Sequence, residues 1–151
     1  MHQLGIAIRI AVEAHDMQTD KAGAPYILHP LKVMHYTKSQ DEEVMAIAVL
    51  HDTVEDNKKI TYAYLREQGL SERIIAGVRA LTKIPGESYD EYIERVKQNK
   101  DAVIVKMADL RHNSDLRRLK GISQKDIDRA AKYQRTYYEL QQHLASTNDK
   151  N

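Results

Sequence analysis

An imidazole and a carboxylate stand side by side at His51-Asp52, where the apolar run Val44-Met-Ala-Ile-Ala-Val-Leu50 ends. Neighbours of these two types can bind one divalent cation together. Charge at the end of an oily helix is costly unless it is paired or metal-bound, so the pair calls for a partner. Glu55 and Asp56 follow one helical turn later, placed to orient a water or move its proton. His29, at the start of another helical stretch, and Asp109, inside Lys106-Met-Ala-Asp-Leu-Arg-His-Asn113, are further candidate ligands. His29, His51, Asp52 and Asp109 make a mixed nitrogen and oxygen donor set. It suits Mn²⁺, with Fe²⁺, Zn²⁺, Mg²⁺ and Co²⁺ as competitors. Four protein ligands leave room on such an ion for water and a phosphoryl oxygen. The ion can lower the pKa of its water from about 15.7 toward ~7 in the strongest cases. The chemistry predicted is metal-dependent hydrolysis of a phosphate ester or anhydride.

Several other residues surround this set. On a helix, positions three and four apart share a face, so Lys106, Asp109 and Asn113 project together. A cation and an amide beside a metal ligand are suited to phosphate or ribose. Lys21, in the polar loop before His29, is a candidate for substrate phosphate, and Tyr26 for a pocket wall. Taken singly, each has a plainer reading. A lone His-Asp pair is usually surface hydrogen bonding, a loop lysine is usually solvated, and Lys106 can snorkel from a buried helix. The remaining histidines rank lower. His2 and His143 read as exposed, His15 and His35 as packed or hydrogen-bonded, and His112 as pointing away from Asp109 without a role. There is no phenylalanine or tryptophan, so the nine tyrosines supply the aromatic core, Tyr89 and Tyr92 among them.

The elements that must position these residues read as helices throughout. Leu4, Ala7, Ile8, Ala11, Val12 and His15 have helical spacing. A glycine-containing loop from Asp16 to Pro25 follows, then a helix opened by His29-Pro30 with proline at its first position. Ser39-Gln-Asp-Glu42 has capping-box form before the helix Val44–His51. Thr61 and Ser71 are predicted caps for Tyr62–Gln68 and Glu72–Leu81, and Ser88 for a helix through Lys97. Ala102-Val-Ile-Val105 could be a strand, but Val103, Met107 and Leu110 continue it at helical spacing. Ser123 caps a long last helix with Ile127, Ala130, Ala131, Tyr133, Tyr137, Tyr138 and Leu140 available to pack. The prediction is one all-α domain of seven or eight helices over 1–145 and a polar, frayed tail over 146–151.

Composition bounds the partners. The chain has 151 residues and a formal net charge of +1, which argues against a broad nucleic-acid footprint. A small anionic ligand held by a few lysines remains compatible. With no cysteine, disulfides, thiolate metal sites and cysteine nucleophiles are excluded. The N-terminus lacks the basic start of a signal peptide, and no apolar run nears the ~20 residues of a membrane span. A cytoplasmic protein with no membrane partner is expected. The exposed helical surface leaves a homodimer open without marking a face for it.

Three segments carry a family resemblance. Ala14-His15 through Gln18, Lys21, Gly23, Pro25-Tyr26 and His29-Pro30 resembles the opening motif of the hydrolase domain of RelA/SpoT-type proteins and stand-alone small alarmone hydrolases. Leu50-His51-Asp52-Thr53-Val54-Glu55-Asp56 and Lys106 through Asn113 continue the likeness in order, and it spans about residue 4 to about residue 140. The resemblance implies an all-α HD fold with one Mn²⁺ held by His29, His51, Asp52 and Asp109. It implies that Glu55 and Asp56 act on the nucleophilic water and that Lys21 and Asn113 hold the nucleotide. The family reaction removes pyrophosphate from the 3′ position of guanosine tetra- or pentaphosphate, and some stand-alone members release the 2′-phosphate of NADPH. A chain of this length has no room for synthetase and regulatory domains, so hydrolysis alone is expected. Two positions depart from the pattern: Asp20-Lys21 replaces a basic pair, and Met17 replaces the usual glycine before Gln18. Both bear on the substrate rather than the metal. They keep two alternatives in view, hydrolysis of another nucleotide (NADPH or a nucleoside monophosphate) and a catalytically silent nucleotide-binding module.

Overall fold

The computed structural model describes residues 2–149, except the side chain of residue 149. At its centre runs α3 (Glu42–Leu50). Asp41 caps this helix by accepting from the Glu43 N–H, and Glu42 and Glu43 in its first turn complement the helix dipole. Val44 and every residue from Ala46 to Leu50 are buried. A helix apolar on all sides must be covered on all sides. The cover comes from α1 (Gln3–Ala14), α2 (Leu28–Tyr36), α6 (Glu72–Leu81) and α8 (Lys100–Asn113). At the α3–α6 contact Gly77 meets Ile47 so closely that an added Cβ would lie 2.9 Å from Ile47 Cγ1. Only glycine lets these two helices come so near.

The remaining elements are the single turn α4 (Thr53–Asp56), α5 (Tyr62–Glu67), α7 (Tyr89–Lys97) and α9 (Gln124–Asp149), with a 3₁₀ turn at Leu116–Arg118. Among the described residues eight helices have six or more residues and there is no strand, only an isolated bridge between Thr19 and Pro25. The fold is all-α, as the spacing predicts. Thr61, Ser71 and Ser88 cap their helices as expected. Ala102–Val105 is helical, with Asn99 as its cap. Ser123 and Asp126 cap each other reciprocally.

Some local expectations are corrected. Asp41, not Ser39, caps α3. Pro30 is the third residue of α2, not the first; there too its missing N–H has no intrahelical partner to lose. Helix α9 packs through Tyr133, Thr136, Tyr137 and Leu140, while Ile127 and Tyr138 face outward. His35 is exposed rather than packed, and His143 is partly covered, its Nε2 near the Lys97 carbonyl. Residues 146–149 continue α9 instead of fraying; residues 150 and 151 of the expected tail lie outside the described residues. Among the described residues no helix is long and apolar enough to cross a membrane.

Candidate metal centre

Helix α3 stops at Leu50, and the His51 ring turns back so that Nδ1 meets the Ala48 carbonyl at 2.7 Å. A carbonyl only accepts, so Nδ1 carries the proton and Nε2 faces the other way. His51 Nε2 is buried and has no hydrogen-bond partner among the described residues. Asp52 Oδ2 and Asp109 Oδ1 nevertheless stand 3.0 and 3.3 Å from it. His29 Nε2 lies 2.9 Å from the same Asp109 oxygen and 3.8 Å from Asp52 Oδ2. One atom each from His29, His51 and Asp52 falls within a common 4.8 Å. Asp109 joins them through its contacts to both imidazoles. Adjacent ligands on an octahedral ion with ~2.1 Å bonds stand about 3 Å apart. An unpartnered buried nitrogen amid donors at that spacing fits a divalent cation held by His29, His51, Asp52 and Asp109.

The charges around the centre are tightly balanced. Burial alone would lower the His51 pKa, but Asp52 and Asp109 outweigh it and raise the imidazole well above its usual range. Burial likewise opposes ionisation of Asp52, yet His51 brings it down to about 2. A cation at this centre therefore competes with protons for the same lone pairs. Asp109 is the hub. Its Oδ2 accepts from Lys106 Nζ at 2.9 Å and its Oδ1 from Asn113 Nδ2 at 2.9 Å. Lys106, Asp109 and Asn113 do share a helix face, but they converge on one another. Lys106 is nearly buried over the Tyr92 ring, 5.2 Å from its centroid, so its ammonium supports Asp109 rather than opening onto solvent.

Tyr26 donates its hydroxyl to Asp52 Oδ2. Burial first, then the Asp52 carboxylate, push the phenol far above its ordinary pKa, so it remains a donor and fixes the carboxylate. The loop that delivers Tyr26 is tied by Asp20, whose Oδ1 accepts from the Ala22 and Ala24 N–H groups. Beyond the ligands, α4 carries the two acids. Glu55 Oε1 accepts from the Lys83 N–H at 2.7 Å, and Asp56 Oδ2 accepts from Gln18 Nε2 at 3.0 Å. Gln18 is held in turn by His15, 2.8 Å from its Oε1.

A cavity of about 320 Å³ opens beside His29 and Tyr26. Lys21 and Asn113 line it, as the sequence suggests, and so do Asp20, Arg118 and Arg129. Arg118 Nη2 lies 3.8 Å from Asp20 Oδ2, and its Nη1 donates to Asn113 Oδ1 at 3.3 Å. The anion at position 20 thus faces a cation supplied from the 3₁₀ turn. Nothing local in the sequence announces that pairing, because it joins two loops far apart in the chain.

His112 is the residue that sequence reasoning set aside and the structure returns to the centre. Its Nδ1 lies 2.7 Å from His29 Nδ1. Burial, then the neighbouring Arg118, push its pKa down to about 4. The signal was available: position 112 is three residues after Asp109 and therefore on nearly the same helix face.

A compact all-α domain whose central helix ends in a His-Asp pair, completed by a histidine and an aspartate from two other helices, is consistent with an HD-type fold. The chain is homologous to RelA/SpoT-type proteins. It is 33% identical over 113 residues to a guanosine-3′,5′-bis(diphosphate) 3′-pyrophosphohydrolase of Aquifex aeolicus, a match covering 68% of this chain and 16% of that protein. It is 30% identical over 120 residues to the bifunctional (p)ppGpp synthase/hydrolase SpoT of Escherichia coli, covering 71% of this chain and 17% of SpoT. A Mycobacterium leprae relative, 30% identical over 116 residues, is named for GTP pyrophosphokinase activity; the match covers 71% of this chain and 15% of that one. The chain thus spans about one-sixth of the length of these curated relatives. No protein-family model matches it.

Proposed function

We propose that this chain is a metal-dependent nucleotide phosphohydrolase that removes pyrophosphate from the 3′ position of guanosine 3′,5′-bis(diphosphate), with Mn²⁺ as its ion. The observation that carries the reading is the buried, unpartnered His51 Nε2 facing Asp52 and Asp109. The names of the Aquifex and Escherichia relatives supply the substrate. Bound at this centre, the ion would lower the pKa of water and neutralise phosphoryl charge.

The protein's own groups do the rest. His29, His51, Asp52 and Asp109 hold the ion, and Tyr26 and Lys106 fix the two carboxylates in place. Glu55 and Asp56, one turn beyond the His-Asp pair, are the acids that take a proton from the attacking water and return one to the leaving pyrophosphate. Lys21 and Arg118, at the mouth of the cavity, meet the phosphates, and Asn113 bridges the ligand Asp109 to that mouth. In a Mn²⁺-supplemented assay the protein should release pyrophosphate from ppGpp, and His51→Ala or Asp52→Ala should abolish turnover. Full metal loading with no hydrolysis of any guanosine 3′-diphosphate would remove the alarmone assignment.

One observation favours a second reading. The cavity is lined by Lys21, Arg118 and Arg129 but also by Asp20, Asp115 and Asp126, so its formal charges cancel. A less anionic ligand, NADPH through its 2′-phosphate or a nucleoside monophosphate, suits such a lining. A turnover panel separates the two: under this reading ppGpp has the lower kcat/KM, and orthophosphate rather than pyrophosphate is released.

A further inference from the structure

The two histidine ligands face one requirement. Each must present Nε2 as a lone pair toward the centre, which places its remaining proton on Nδ1. A ring N–H in that position needs an acceptor. For His51 the acceptor is the Ala48 carbonyl at 2.7 Å, which can play no other part. For His29 neither a carbonyl nor a carboxylate among the described residues fills the role; the atom 2.7 Å from Nδ1 is the Nδ1 of His112.

The geometry of that contact is specific. The two rings lie within 15° of parallel, with centroids 5.0 Å apart, while their Nδ1 atoms approach to 2.7 Å. Nearly parallel rings whose closest atoms are both ring nitrogens meet edge to edge, in the plane of the lone pairs. This is an in-plane N–H···N bond. Two Nδ1 atoms share one proton, and that proton must reside on His29 if His29 Nε2 is to ligate. His112 then carries its own proton on Nε2. Its backbone is fixed as well, because Arg118 Nη1 donates to the His112 carbonyl at 3.1 Å. The ring also packs edge-on against Tyr36, with centroids 5.9 Å apart.

We propose that His112 is a positioning residue for the metal centre: its Nδ1 lone pair accepts the His29 Nδ1 proton, fixes the ring of His29 and leaves Nε2 free to bind the ion. The proposal rests on the metal reading above and is independent of the substrate. It gives a task to the imidazole that follows Asp109 by three positions.

The test compares two variants of nearly equal shape. His112→Asn places Oδ1, an acceptor, where Nδ1 stood; His112→Leu fills the same space without one. Mn²⁺ alone is titrated into the metal-free full chain by calorimetry, with no nucleotide present. His112→Leu should weaken Mn²⁺ binding about 10- to 100-fold, the usual cost of losing an outer partner of a ligating histidine. His112→Asn should remain near the parent. In the Zn²⁺-loaded parent, ¹⁵N spectra should place the His112 proton on Nε2. Equal affinity in Leu variant and parent, equal loss in both variants, or a proton on His112 Nδ1 would each overturn the proposal. A parent chain that binds no divalent ion would instead defeat the metal reading itself, and this proposal with it.

Discussion

The closed end of the cleft and its open mouth are built on different rules. At the closed end the side chains of His29, His51 and Asp109 are 3%, 3% and 6% exposed, and each is held by a further partner. Those partners are His112, the Ala48 carbonyl, Lys106 and Asn113. At the mouth Lys21 is exposed, and Arg118 and Arg129 keep 26% and 33% of their side chains in solvent. They stand on a loop, a 3₁₀ turn and the start of α9. Binding one ion demands several atoms fixed to within tenths of an ångström, which only burial and reciprocal bonding provide. Gathering phosphate requires charge at a suitable range, which many arrangements satisfy. Under the proposed function, the closed end would define the chemical class and the mouth would choose the substrate.

The most severe isosteric change at the closed end is Asp109→Asn, which neutralises the carboxylate at which two imidazoles, an ammonium and an amide converge. Loss of several kcal/mol of charge stabilisation corresponds to a fall in turnover on the order of 10³-fold. The substitution also leaves Lys106 nearly buried without its carboxylate, so the metal-free protein should lose about 3 kcal/mol of stability. Urea unfolding in chelator and a ppGpp turnover assay read the two effects separately. If Asp109→Asn kept both stability and turnover, Asp109 would be a bystander and the closed end would not be the functional one.

Proton competition should act on that end alone. Asp52 and Asp109 raise the His51 pKa, so in the metal-free chain the ring holds its extra proton past the ordinary histidine range. The stabilisation this proton brings is complete below the ordinary pKa and disappears as pH rises through the raised one. An ion needs the deprotonated ring. Mn²⁺ affinity should therefore fall as pH drops, by up to about tenfold per pH unit for each proton displaced. Calorimetric titration in buffers of different ionisation enthalpy would count those protons. A pH-independent affinity with no proton release would contradict this account.

Much of the closed end was legible in the chain. The apolar run of α3 implies a helix covered on every side, and the charged pair at its end, read together with His29 and Asp109, points to a metal. Helical spacing correctly aligned Lys106, Asp109 and Asn113. What it could not supply was direction in depth: it left open whether Lys106 reaches toward substrate or back to Asp109, and the nearby Tyr92 ring decides that. For His112 the spacing after Asp109 marked the shared face, but not its partner, His29, which comes from another helix. The mouth was far less legible, because Asp20 and Arg118 meet only through the folding of two distant loops. Their pairing can be tested from either side. Arg118→Ala should raise KM for ppGpp about tenfold, the equivalent of one charge-assisted contact worth ~1.4 kcal/mol. Asp20→Asn keeps an acceptor for the Ala22 and Ala24 N–H groups while removing the negative charge, and it should lower KM. Asp20→Asn, whose bonds are to the loop and to Arg118, should bind Mn²⁺ as the parent does. An opposite KM response in Asp20→Asn would favour the less anionic substrate.

The smallest effect concerns the turn that leads from α1 into the loop carrying Lys21 and Tyr26. Met17, just after α1, has φ of 66°, in the left-handed region that an L side chain occupies only with strain. Met17 is 91% exposed and gains little from packing there. This is the position where the family pattern has glycine, so the resemblance and the backbone agree on what the turn requires. Strain of ~1–2 kcal/mol would be relieved by Met17→Gly. The greater freedom of glycine in the unfolded chain takes back part of this, leaving a net gain of about 0.5–1 kcal/mol. Met17→Ala, which keeps the Cβ, should gain nothing. Chemical denaturation of the three proteins resolves the difference, and Mn²⁺ affinity should be the same in all of them. A glycine variant no more stable than the parent would mean that the turn relaxes around methionine without strain, and that the departure at position 17 has no energetic consequence for the loop carrying Lys21 and Tyr26.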